Sequence, residues 1–173
     1  ALVHSAISNQ EVRKCFVGTE SSPYAVKPSM ATVIQVLELG EKMDGGFFSG
    51  GIDSQFACKA ATDLIIDAAG LVAYPVFKGK YVMVIGADNS QAAPGDKLDY
   101  TVGAGGVALI LGRDDVIATL DHYLPYTSDT PDFYRREGEK YPRHAGRFTG
   151  QPAYFKHVTT SMNMLLKQTG FKN

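Results

Sequence analysis

Cys58 is the residue of this sequence best placed to do chemistry. It follows the short extended segment IDSQFA and stands at the first turn of an apolar stretch, Ala57 to about Val72, whose spacing predicts a long helix. Unpaired backbone N–H groups and the dipole of a helix start favour a thiolate, the attacking form of cysteine. The competing reading is a small buried hydrophobe. Cys15 lies in mid-strand with no helix start beside it and takes that second reading outright. The histidines, His4, His122, His144 and His157, show no ligand-type spacing with one another or with the cysteines, so no metal site is expected.

The elements that must position Cys58 can be followed along the chain. Residues 1 to 10 carry apolar residues at helical spacing with no cap ahead of them, and 12 to 20 (VRKCFVGTE) reads as a strand ending at Gly18. Ser29 can cap a helix running to about Met43, after which Gly45, Gly46, Gly50 and Gly51 predict a flexible loop. The predicted helix from Ala57 to Val72 is apolar over most of its circumference and is expected to be buried on several sides. YVMVIGAD (81 to 88) and GGVALILGR (105 to 113) are continuous apolar runs, the pattern of strands covered on both faces. A further strand is expected at 116 to 124 and a last helix at about Pro152 to Gly170. Strands alternating with helices point to an α/β fold.

Composition narrows the function classes. At 173 residues, 45% hydrophobic and 20% charged, the chain has the make-up of one globular domain or slightly more, so disordered and disulfide-stapled classes are excluded. Lys plus Arg number 17 against 18 Asp plus Glu, which leaves no broad positive field for nucleic acid. No apolar run approaches the ~20 residues that cross a bilayer and no signal segment opens the sequence, so a cytoplasmic protein is expected.

The segments VGTESSPYAVKPS, FACKA, IGADNSQAAPGDKLDYTVGAGG and TPDFYRREGEKYPRHAGRFTGQPAYFKHV, in this order, resemble the archaeal-type hydroxymethylglutaryl-CoA synthases of the thiolase superfamily. The resemblance implies a thiolase-like layered α/β fold, mostly one half of it, lacking the first strand and most of the second half. Residues 1–113 would form a partial N-terminal half with the nucleophile, and 114–173 an insertion segment and the first helix of the second half. It implies an acyltransferase of the mevalonate route to isoprenoids in which Cys58 accepts an acetyl group from acetyl-CoA and Glu20 removes a methyl proton. The enolate then attacks acetoacetyl-CoA, and hydrolysis frees the product. For Glu20 to be basic enough it needs a dry neighbourhood, since burial raises a carboxyl pKa. The resemblance further makes Thr101 and Thr149 acyl-CoA-binding residues, and the glycines at 103, 105 and 106 would let backbone approach the thioester. No cofactor is implied beyond the coenzyme A thioesters that are substrates.

Departures from the resembled pattern set further expectations. Its F-H-x-P-x-x-K segment, with an acid histidine and a CoA-binding lysine, has no counterpart here, and His144 and His157 belong to other segments. A complementing chain or a homo-oligomer is therefore the expected partner, with a non-catalytic interaction subunit as the alternative. A ketoacyl synthase shares fold and nucleophile but calls for two histidines where this sequence offers Glu20. The loop DGGFFSGGIDS before Cys58 is longer than the resemblance leads one to expect, and its Phe47 and Phe48 are candidates to cover the thioester site or pack on a partner, with a satellite apolar contact as the plain alternative. Asp63 places a charge in the otherwise apolar helix.

Overall fold

A computed structural model describes residues 1–171. They form two compact units, one of Ala1–Ser90 with Val102–Thr119, the other of Gln91–Thr101 with the chain from Leu120 onward.

The first unit is built on a four-stranded sheet. Strands β1 (Val12–Gly18), β4 (Gly50–Ser54), β5 (Tyr81–Asn89) and β6 (Ala104–Leu111) lie in the order β4-β1-β5-β6. β1 is parallel to β4 and β5, and β6 joins β5 antiparallel. Side chains alternate across the sheet. Cys15, Val17 and Met83 therefore pack on one face with Ile34 and Leu39, while Phe16, Val82 and Val84 pack on the other with Leu64, Ala68 and Val72. A register shift between Val12 and Lys14 lets Val12 join the Cys15 face despite its odd spacing.

The helices differ from the expectations in instructive ways. The opening segment holds only a short helix, α1 (Leu2–Ser5), which ends at Ala6 in left-handed backbone, and then one turn of 3-10 helix at Asn9–Glu11. α2 (Ser29–Leu37) stops well before Met43, because Glu38 turns left-handed and Leu39 returns its N–H to the Ile34 carbonyl and buries itself in the core. Lys42–Met43 (β2) and Gly46–Phe47 (β3) then make a small hairpin, and GGIDS becomes β4. The predicted flexible loop is thus ordered strand. Gly51 is needed there, since a Cβ would sit 1.7 Å from the Cys15 carbonyl oxygen of the neighbouring strand. Phe47 packs against the core of that face, and Phe48 is exposed.

α3 (Ala60–Ala73) begins after Cys58, and its fully buried residues are Ala60, Leu64, Ala68 and Val72. Their four-residue steps describe one stripe facing the sheet, so the expectation of burial on several sides was too broad. Asp63 is accommodated in the first turn, where negative charge is favoured, and pairs with Lys59. β6 is not covered on both faces: it is the sheet edge, with Val107 58% and Leu109 41% exposed. Residues 116–124 form no strand; Val116, Ile117 and Leu120 are exposed and pair with nothing in a sheet.

In the second unit Phe133–Tyr134 (β7) and Arg143–His144 (β8) make a two-stranded ribbon. A π-helical stretch, Thr149–Phe155, runs into α4 (Lys156–Thr169), which ends at Gly170 in left-handed backbone, close to the expected limits of the last helix. No helix among the described residues is long and apolar enough to cross a membrane.

Candidate active site

The carboxyl ends of the parallel strands β4, β1 and β5 lie side by side, the place where open α/β sheets collect ligands. Each strand delivers a polar residue there: Glu20 just beyond β1, Cys58 just beyond β4 and Asp88 near the end of β5. Close packing makes this possible. Ala61 in the first turn of α3 rests on Gly18 and Gly86: a Cβ on Gly18 would lie 2.3 Å from the Ala61 nitrogen, and one on Gly86 would lie 2.9 Å from the Ala61 Cβ. Only glycine admits a helix start so near the strand ends.

Cys58 and Glu20, which the resemblance pairs, come together with Cys58 Sγ 4.0 Å from Glu20 Oε1. Cys58 is exposed, and Glu20 is half-buried. Between β4 and α3 the backbone bends sharply at Ala57, whose φ of 39° is left-handed and unfavourable for a residue with a Cβ. Phe56 and Cys58 flank it in a small bridge.

Asp88 organises the strand end that bears Glu20, a role that sequence reasoning missed. Its Oδ1 accepts from the Thr19 hydroxyl at 3.0 Å, the Glu20 backbone N–H at 2.8 Å and the Ser21 hydroxyl at 2.9 Å. The Ser21 hydroxyl in turn accepts from the Asn89 N–H at 2.8 Å. The only hint was a lone aspartate within IGADNS; its partners lie 67 to 69 residues away. Gly105 stands beside Asp88 in the β5–β6 register, with open space where a side chain would be.

The electrostatics overturn one expectation. Burial first, then the Glu20 carboxylate and then Asp88 push the Cys58 thiol above its ordinary pKa, while a backbone hydrogen bond at Cys58 pulls the other way. Cys58 precedes the helical residues, with Lys59 at the cap position, so it sits before the helix start and beside two carboxylates. The helix dipole does not win. Cys15 is buried in the core, and its thiol is pushed up to about 12 by burial and then by Asp53, which agrees with a purely structural residue.

Thr101 and Thr149 both fall in the second unit. The Thr101 hydroxyl donates to the Leu98 carbonyl at 2.9 Å, and the Thr149 hydroxyl donates to the Asp132 carbonyl at 3.2 Å, which leaves each oxygen able to accept. His144 and His157 are occupied locally: His144 Nδ1 accepts from the Gly146 N–H, and His157 Nδ1 lies 2.6 Å from the Ala153 carbonyl. No group of His, Cys, Asp and Glu among the described residues is arranged to hold a metal ion.

The sequence is 49% identical over 170 residues to the hydroxymethylglutaryl-CoA synthase of Methanosphaera stadtmanae, covering 98% of this chain and 47% of that protein. It is 45% identical to the enzyme of the same name from Methanocaldococcus jannaschii, covering 99% of this chain and 48% of that protein. The chain thus spans about half the length of the curated relatives it matches. No protein-family model matches the sequence. In fold it is similar to a crystal structure of an HMG-CoA synthase complexed with CoA, with a TM-score of 0.84 at 22% identity, covering 95% of this chain and 40% of that one. A second similar structure, in complex with 3-hydroxy-3-methylglutaryl coenzyme A, gives a TM-score of 0.78 at 20% identity, covering 99% of this chain and 41% of that one.

Proposed function

We propose that this chain, which corresponds to about half of an archaeal-type hydroxymethylglutaryl-CoA synthase with a thiolase-like fold, carries the nucleophile and the base of an acetyl-CoA-condensing enzyme. The observation that supports this reading best is the 4.0 Å approach of the Cys58 thiol to the Glu20 carboxylate at the carboxyl ends of parallel strands.

In the proposed reaction Cys58 gives up its thiol proton to an assisting group and attacks the acetyl-CoA carbonyl, and coenzyme A leaves as its thiol by taking that proton. The thioester acidifies the acetyl methyl, from which the Glu20 carboxylate takes a proton. The resulting enolate forms a carbon–carbon bond to the ketone of acetoacetyl-CoA, whose oxygen takes up a proton to become hydroxyl. Water then cleaves the Cys58 thioester, freeing hydroxymethylglutaryl-CoA and the thiol. Thr101 and Thr149 are assigned to binding the acyl-CoA, and no cofactor is required beyond these substrates.

The raised thiol pKa bears on the partner. Burial first, and then the Glu20 and Asp88 carboxylates, disfavour the Cys58 thiolate, and a positive or proton-accepting group beside the residues described would favour the first step. We assign that role to the acid histidine of the resemblance, supplied by a complementing chain or by a further part of the same polypeptide, in the cytoplasm. The test is to incubate the protein, in its natural assembly, with acetyl-CoA and map the adduct by mass. Acetyl on Cys58 is the expected result; acetyl on Cys15, or on no cysteine, would overturn the assignment.

A further inference from the structure

We propose that Asp53 is a positioning residue for the base: it fixes the far end of the loop that carries Glu20 and thereby holds the carboxylate at its working distance from Cys58. The inference rests on the reading of Glu20 as base and Cys58 as nucleophile.

Glu20 lies on the segment Thr19–Pro28, which joins β1 to α2. Residues 22–27 of this segment are all exposed; the Ser22 hydroxyl donates to the Tyr24 carbonyl and lies 3.4 Å from the Ser29 hydroxyl, and Lys27 lies over the Tyr24 ring. Such a segment keeps its shape only if both ends are held. The near end is gathered by Asp88 and by the Thr19 N–H, which donates to the Ser54 carbonyl at 3.1 Å. The far end is the start of α2, where the cap residue is Pro28 and no side chain of the segment satisfies the free N–H groups. Asp53 does so from outside. Its two oxygens accept separately from the Ser29 N–H and, at 2.9 Å, from the Met30 N–H. These are charge-assisted bonds at the positive end of a helix, among the stronger of their kind.

The placement makes Asp53 more than a helix cap. Asp53 and Ser54 are consecutive on β4, so one dipeptide grips the Glu20 segment at both ends. That dipeptide stands just ahead of Cys58 on the strand that delivers the nucleophile. The base is therefore referenced to the nucleophile's own strand, and a shift of β4 carries both together.

Hydrogen exchange of the full chain with Asp53→Ala tests this. Amides at Thr19–Ser21 are expected to exchange at least about tenfold faster, while those at Val82–Val84 in the core keep their rate. Asp53→Asn, which keeps one acceptor oxygen and the fold, should fall between the variant and the native protein. In the acetylated protein, deuterium uptake into the Cys58-bound acetyl methyl should slow by more than the acetylation step does. Unchanged exchange at Thr19–Ser21 in both variants, or equal slowing of acetylation and methyl exchange, would overturn the proposal. Should the native protein not be acetylated at all, the assignment of Cys58 and Glu20 fails, and the amide measurement still decides whether Asp53 holds the loop.

Discussion

Cys58 and Glu20, 38 residues apart in the chain, meet with sulfur and carboxylate oxygen 4.0 Å apart. The relationship cuts both ways. In the proposed reaction the carboxylate is close enough to reach an acetyl group carried on the sulfur, yet its charge, after burial, opposes the thiolate that the loading of that acetyl would use. Removing one residue therefore has opposite consequences for the two steps.

Alkylation by iodoacetamide measures the first consequence, since only the thiolate reacts. The native protein should react at Cys58 with a rate that climbs with pH through a range above that of an ordinary thiol. Glu20→Gln removes the largest charge effect on Cys58 and should move the profile to lower pH. A profile that stays put or moves upward would mean that Glu20 does not face the thiol in solution.

Glu20→Ala should leave acetylation by acetyl-CoA at least as fast as in the native protein while stopping condensation. The expected loss of turnover in the complete assembly is ~10² to 10⁴-fold, the range typical of general-base removal. Steady-state turnover paired with burst acetylation separates the steps, and retained condensation would take Glu20 out of the mechanism.

Gly18→Ala should be costly for a substitution so small. The added methyl points into the backbone of Ala61, and overpacking of this sort costs about 1 to 3 kcal/mol. Because relief requires α3 to withdraw from β1, acetylation of Cys58 should fall even at temperatures where the variant is fully folded. Thermal unfolding with mass mapping of the adduct checks both; a variant with native stability and native acetylation would show that the helix start tolerates displacement.

Cys15 predicts how stability depends on alkali. Its pKa is raised in the folded protein to about 12, so the contribution is fully present below the unfolded thiol's value and is lost as pH rises towards the folded one. The loss should begin near the ordinary value of ~8.5, with a slope of at most ~1.4 kcal/mol per pH unit. Urea unfolding at several pH values should show a shallower slope in Cys15→Ala across that window. Identical slopes in the two proteins would place Cys15 in contact with water.

Much of this was legible without coordinates. The runs read at 12–20 and 81–88 became the adjacent strands β1 and β5, and a helix follows Cys58, though it packs the single stripe Leu64, Ala68 and Val72 rather than several sides. Cys58 stood out by its place between an extended segment and a helix. Glu20 became a candidate only through the resemblance of VGTESSPYAVKPS, because a lone glutamate after a strand carries no signal of its own.

What the sequence by itself determined is therefore the set of local elements, which depend on spacing within a few residues, and, with the resemblance, the candidates for the reactive side chains. Its errors fell where local pattern and long-range context disagree. GGIDS has too little apolar character to announce a strand, yet β1 recruits it because Gly51 allows the close approach. Residues 116–124 have the apolar pattern but no strand to pair with. Tertiary structure alone decided that Asp88 and Asp53 would hold the Glu20 segment, that Ala61 would rest on Gly18 and Gly86, and that the Cys58 thiol would be made less acidic. Each of these depends on groups tens of residues apart arriving within a few ångströms, and burial, charge and hydrogen-bond energies are set by that distance rather than by position along the chain.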